Sequence, residues 1–200
     1  MGDHVLFFYG TLMVPQILHK VIHGQANPET WQKAMLRFQP AILHGYRRHR
    51  VRNADYPGIV AVPEPAIETE NSSDSKTNAG TSVIGTLVSG LTDGDVHRLD
   101  RFEGSEYEKR PVTVRTLQEA RGDDHSQSGE GSTAESQLLE MLNATGAEVT
   151  DKGKEEEVSA VTYVWTAGKN MLEDMEWDFE SFKKDKMTWW VGVGANESEW

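Results

Sequence analysis

The sequence contains no cysteine. Disulfides, thiolate catalysis and cysteine-ligated metals are therefore excluded, and the expected setting is cytoplasmic. An apolar run of about 18 residues, the length a membrane span needs, is also missing. Met1-Gly2-Asp3-His4-Val5 has no basic segment leading into a long apolar stretch, so no secretory signal is predicted. Position six holds neither Ser nor Thr, which leaves myristoylation of Gly2 unsupported. Basic residues are in deficit, with 20 Lys and Arg against 32 Asp and Glu. The net charge of -12 is local, however: residues 64–82 carry -3 and residues 119–157 carry -8. The rest of the chain is close to neutral, so the acidity does not describe a charged binding surface.

With 200 residues, 37% hydrophobic and 26% charged, the chain suits one globular domain carrying extra loops. The two acidic stretches are rich in Ser, Asn, Thr and Gly and poor in large apolar residues. They are predicted to be flexible insertions, at 64–82 and 119–157, within a single domain over 1–186. A Trp-rich tail, 187–200, follows. Four of the six tryptophans lie after Asp174, which suits either packing against the body or a partner patch.

Val5-Leu6-Phe7-Phe8-Tyr9 is apolar without alternation and reads as a strand buried on both faces. Gly10-Thr11-Leu12-Met13 follows as a turn. Pro15 then opens a helix through His23 with Ile17, Leu18, Val21 and Ile22 on one face. A strand, a glycine turn and a helix start leave backbone N–H groups available to an anion, although an ordinary connection reads the same way. His19 and His23 stand four apart, a metal-pair spacing, but the Glu of a zincin is missing, and satisfied or surface histidines fit better. Met35 to Leu43 is strand-like, interrupted by Pro40. Arg47-Arg48-His49-Arg50-Val51-Arg52 is the one basic cluster. It lacks an aromatic platform for nucleic acid, and a strand would carry Arg48, Arg50 and Arg52 on one solvated face.

Thr92 and Asp95 make a capping box that starts a helix, and Gly104 suits its left-handed end. Val96, Leu99 and Glu103 fall at i, i+3 and i+7, on one face. Glu103 is thus a carboxylate aimed with the apolar face at the last turn. Desolvation there raises its pKa toward the range useful for proton transfer; the alternative is a helix end that faces water. Glu106, on the next turn, lies off that face.

Phe8-Tyr9-Gly10-Thr11-Leu12, Gly45-Tyr46-Arg47, Tyr56-Pro57-Gly58, Gly85-Thr86-Leu87, Leu99-Asp100-Arg101-Phe102-Glu103-Gly104 with Tyr107, and Val161 to Trp165 occur in that order. This succession resembles the gamma-glutamylcyclotransferase-like family, in particular its avirulence-induced-protein and gamma-glutamylamine cyclotransferase branches. The resemblance covers about residues 5–62, 83–117 and 158–182. It implies an α+β fold around a small, distorted mixed β-barrel with flanking helices. It further implies an acyltransferase that releases 5-oxoproline from a gamma-glutamyl amide by attack of the substrate's own α-amine, with Glu103 as acid and base. Tyr9, Gly10, Thr11 and Leu12 would bind the glutamyl group, backbone groups of the turn included. Tyr107 would orient the carboxylate or line the pocket, with core packing the alternative for both Tyr9 and Tyr107. Tyr46 and Tyr56 would be structural, or pocket rim at most. The expected partner is a small-molecule gamma-glutamyl substrate; no cofactor, metal, nucleic acid or membrane is expected. The competing reading is a non-catalytic protein-interaction module on the same fold.

Overall fold

The computed structural model describes residues 2–62, 82–117 and 156–193. Strands β1 (His4–Phe8), β2 (Arg37–His44), β5 (Ser82–Leu91), β6 (Tyr107–Thr116) and β7 (Glu156–Trp165) close a barrel in the order β1-β5-β2-β6-β7. Four of the joins are antiparallel, and the closing join of β1 to β7 is parallel. β3 (Tyr46–Arg50) and β4 (Pro57–Ala61) form a separate antiparallel pair. The helices are α1 (Pro15–His23), α2 (Thr30–Lys33), α3 (Asp93–Glu103) and α4 (Phe179–Asp185). The fold is thus an α+β barrel with flanking helices. No helix among the described residues is long and apolar enough to cross a membrane.

The unbroken apolar run of β1 follows from its two covered faces. Leu6 and Phe8 join α1, α3 and α4 in one buried cluster with Ile17, Leu18, Ile22, Leu99, Phe179 and Phe182. Phe7 and Tyr9 point the other way, into a second cluster with Leu43, Ile59, Leu87, Val114 and Val164. Such alternation of direction along a strand leaves no position for a polar residue when both faces are packed.

Pro40 does not interrupt its strand, contrary to expectation. Its carbonyl accepts from the N–H of Leu117, so the side of the residue that lacks an N–H faces β6. There Pro40 stands at the end of the β2–β6 ladder, next to the first paired residue Ala41, so only one terminal bond is forgone. Three residues assigned to the acidic insertions belong to the barrel instead. Ser82 pairs with His44, Glu156 with Thr116 and Glu157 with Arg115, because their partner strands run on beyond the apolar core. The remainder of both insertions lies outside the described residues.

α3 begins as its capping box predicts: the Thr92 hydroxyl accepts from the Asp95 N–H, and the Asp95 carboxylate accepts from the Thr92 N–H at 2.9 Å. At its other end Gly104 has φ +68° and ψ −160°. The positive φ is as expected, but the extended ψ is not left-handed helix. It is a conformation almost closed to side chains with a Cβ. Instead of leaving the helix, the chain tightens into a 3-10 turn, Gly104–Glu106.

Candidate active site

The end of β1, the 3-10 turn Thr11–Met13, the end of α3 and the start of β6 meet around a cavity of about 130 Å³. Tyr9, Gly10, Thr11, Leu12, Glu103 and Tyr107 all line it. Residues nearly 100 positions apart come together because β1, the turn and α3 share a core: Phe8, Leu12 and Leu99 are buried in the same cluster.

The turn is tight. Met13 donates to the Gly10 carbonyl at 2.9 Å and Val14 to that of Thr11 at 3.2 Å. The first N–H groups of such a turn have no acceptor within it. Gly10 is required by close approach, since a Cβ there would lie 2.8 Å from the Pro57 ring. Opposite the turn, Glu103 ends α3 with its carboxyl desolvated, and burial pushes its pKa up from 4.5 to about 8. It is therefore largely protonated at neutral pH and poised to exchange that proton.

The two predicted tyrosines are held by carbonyls. Tyr9 donates to the Tyr163 carbonyl at 2.7 Å and Tyr107 to that of Pro57 at 2.9 Å. Each hydroxyl has one proton, so neither is donating to Glu103. Both phenols are pushed further above their ordinary pKa, by burial first and by the nearby Glu103. They stay neutral, and their oxygens remain able to accept from an ammonium group.

Tyr56 is more than rim, and Glu106 is not off the inward face. Both line the cavity, with the Tyr56 hydroxyl donating to the Glu106 carboxylate at 3.3 Å. Here the 3-10 turn matters. It opens on Gly104, whose φ +68°, ψ −160° takes the chain off the helix path, and Glu106 at its end reaches the cavity wall. The three-residue spacing of the two glutamates was the available signal. Phe102, Tyr163 and Trp190 complete the walls. Trp190 brings part of the C-terminal segment into the site, with its ring edge-on to Phe102 at 6.1 Å. Tyr163 is fixed by its hydroxyl bond to Asp100 at 2.8 Å, and Asp100 is bonded in turn by Lys109 at 2.8 Å.

The expected solvated arginine face is also corrected. Arg47, Arg50 and Arg52 are exposed, but Arg48 is turned inward. Its side chain is 12% exposed and packs over the Trp177 ring at 5.5 Å. His19 is buried and stacked on His23 with 5.5 Å between ring centres; among the described residues no group of three or more His, Asp or Glu could hold a metal ion.

Residues 6–130 match the model of the family described as "Gamma-glutamyl cyclotransferase, AIG2-like". The chain is 26% identical over 181 residues to Protein AIG2 C of Arabidopsis thaliana, covering 90% of this chain and 73% of that protein. It is 23% identical over 198 residues to Protein AIG2 B of the same plant, covering 99% and 81%. A solved structure of a gamma-glutamyl cyclotransferase superposes with a TM-score of 0.45 at 12% identity, over 85% of this chain and 68% of that one. The family match spans more than half of the chain and includes the turn after β1 and the whole of α3 with Glu103. The chain belongs to the gamma-glutamyl cyclotransferase, AIG2-like family.

Proposed function

We propose that this chain is a gamma-glutamylcyclotransferase that cleaves a gamma-glutamyl amide by intramolecular aminolysis. The observation that carries this reading is a single carboxyl, Glu103, raised to about 8 in the wall of a cavity whose opposite side is the Gly10–Leu12 turn. The α-amino group of a γ-glutamyl substrate sits beside its own free carboxylate, which lifts its pKa roughly a unit above the value of about 8 for a chain-terminal amine. Proton transfer to Glu103 is then only slightly uphill, where an ordinary carboxyl near 4.5 would make it strongly so, and this suits a group acting first as base and then as acid.

Glu103 in its ionised form takes a proton from the substrate's α-ammonium, and the freed amine nitrogen attacks the substrate's own γ-carbonyl carbon. An N–C bond forms and closes a five-membered ring. The ring nitrogen sheds its second proton as the amide C–N bond breaks, and the leaving nitrogen takes up both protons in turn by way of Glu103. The products are 5-oxoproline and a free amine or amino acid; no water is consumed. Nucleophile and electrophile belong to one molecule, so holding the right conformer supplies much of the acceleration. In this reading Gly10, Thr11 and Leu12 bind the substrate carboxylate or the developing oxyanion through backbone N–H groups. Tyr9 and Tyr107 offer hydroxyl oxygens to the ammonium. A water molecule needs about 10–15 Å³ of such space, so the cavity has room for a group of several heavy atoms, which favours a catalytic site over an interaction module. The absence of cysteine supports a cytoplasmic setting.

The test is 5-oxoproline release across a panel of gamma-glutamyl amides. We expect turnover of at least one, with kcat/KM rising with pH to an inflection near 8, where Glu103 ionises. An inflection near 4.5 would show that the titrating carboxyl is not raised by burial, and release from none of the panel would end the reading. Because the chemistry calls for no metal, a chelator should leave turnover unchanged. Activity lost to the chelator and restored by a divalent ion would overturn the mechanism.

A further inference from the structure

Arg48 is a buried cation with no part in the chemistry above, and its contacts converge on the substrate turn. One guanidinium nitrogen donates to the Tyr9 carbonyl at 3.0 Å and to the Ile84 carbonyl at 3.4 Å. The other donates to Glu176 at 3.2 Å. The guanidinium plane is covered by Trp177. Burial opposes its charge, and Glu176 is the first of the groups that restore it, followed by Asp178. A cation held in so costly a place is paired on one side with the C-terminal segment and on the other with the Tyr9 carbonyl, between β1 and the turn.

That carbonyl is half of the Tyr9–Gly10 peptide. The unit is planar and trans, so fixing the C=O direction fixes the opposed direction of the Gly10 N–H. A charged donor on the carbonyl also polarises the amide and makes its N–H a stronger donor. We propose that Arg48 is a positioning residue for the cyclotransferase site: it locks the Tyr9–Gly10 peptide so that the Gly10 N–H is held and strengthened for the substrate's anionic oxygen, and it ties that peptide to the C-terminal Glu176-Trp177 segment. The inference rests on the cyclotransferase reading for its effect on turnover, but not for its effect on the Gly10 amide. Lysine can reach only one of the two partners, since it lacks the planar fork.

The experiment compares Arg48→Met and Arg48→Lys with wild type in two ways. Amide NMR reads the shift and hydrogen exchange of the Gly10 N–H, and kinetics reads KM and kcat for 5-oxoproline release. In Arg48→Met the Gly10 amide should move and exchange faster. KM should rise about tenfold, the worth of one hydrogen bond to a charged group, with kcat changed much less. Arg48→Lys should recover part of both, and it serves alone if Arg48→Met does not fold. A merely structural arginine would lower the melting temperature and leave KM and the Gly10 amide as they are; that result, in either folded variant, overturns the proposal. If wild type turns nothing over, the cyclotransferase reading fails, while a displaced Gly10 amide in the variants still supports the positioning role and an unmoved one still refutes it.

Discussion

At the scale of the residue, Glu103 is the group whose replacement separates chemistry from stability. Gln keeps its shape but cannot exchange a proton near neutral pH. Glu103→Gln should lower kcat by about 10²–10⁴-fold, the usual worth of general acid–base catalysis, with KM little changed. Turnover within a few-fold of wild type in the folded variant would remove Glu103 from its role. The same substitution has a signed effect on stability. The folded protein holds the Glu103 proton up to about pH 8, whereas the unfolded chain releases it near 4.5. Between those values the folded state binds more protons, so wild-type stability falls as pH rises. Urea unfolding should find Glu103→Gln more stable than wild type at pH 8–9, on the order of 4–5 kcal/mol, and the two equal below pH 4.5. The neutral control is Glu108→Gln on β6, an exposed side chain that pairs with Arg110. Glu106 cannot serve, because it lines the cavity with Tyr56.

At the scale of the element, α3 is held differently at its two ends. Its start is a local device, the Thr92 and Asp95 capping box, legible from two residues at the right spacing. Thr92→Ala should cost about 1 kcal/mol and leave kcat nearly unchanged, because the cap lies three turns from Glu103. Its end depends on a backbone conformation. Gly104→Ala forces a side chain onto φ +68°, ψ −160° and should cost about 1–3 kcal/mol. Since Gly104 directly follows Glu103, that variant should also lose activity beyond what its stability loss explains. Equal kcat in Thr92→Ala and Gly104→Ala would show that the carboxylate does not depend on how the helix ends.

At the scale of the whole molecule, acid stability involves a group far from the chemistry. His19 sits wholly buried in α1, and burial, with the neighbouring His23 and Lys33, lowers its pKa from 6.5 to about 4. The unfolded chain therefore takes up this proton first. The His19 contribution to stability should be undiminished above about 6.5, fall as pH drops toward about 4, and lose nothing further below, on the order of 2–3 kcal/mol in total. Glu103 works in the opposite sense between 4.5 and 6.5, so the clean measurement is unfolding free energy against pH in the Glu103→Gln background. Replacing His19 with Gln there should flatten the slope, and an unchanged slope would place the acid sensitivity elsewhere.

The sequence alone determined what depends on short range. The unalternating run of β1, Pro15 at the start of α1, the capping box of α3 and the spacing of Val96, Leu99 and Glu103 are local patterns, and each element forms where they put it. The order of the motifs was likewise enough to indicate the family. What the tertiary structure decided depends on partners distant in sequence. Pro40 keeps its strand because the neighbouring ladder begins one residue later. Arg48 turns inward because Tyr9, Glu176 and Trp177 meet it there, and no pattern within β3 announces residues about 130 positions away. Tyr56, Tyr163 and Trp190 join the cavity for the same reason. The pKa of Glu103 belongs with them: the spacing aims the carboxyl at the core, but only the packed walls remove the water that would have stabilised its charge.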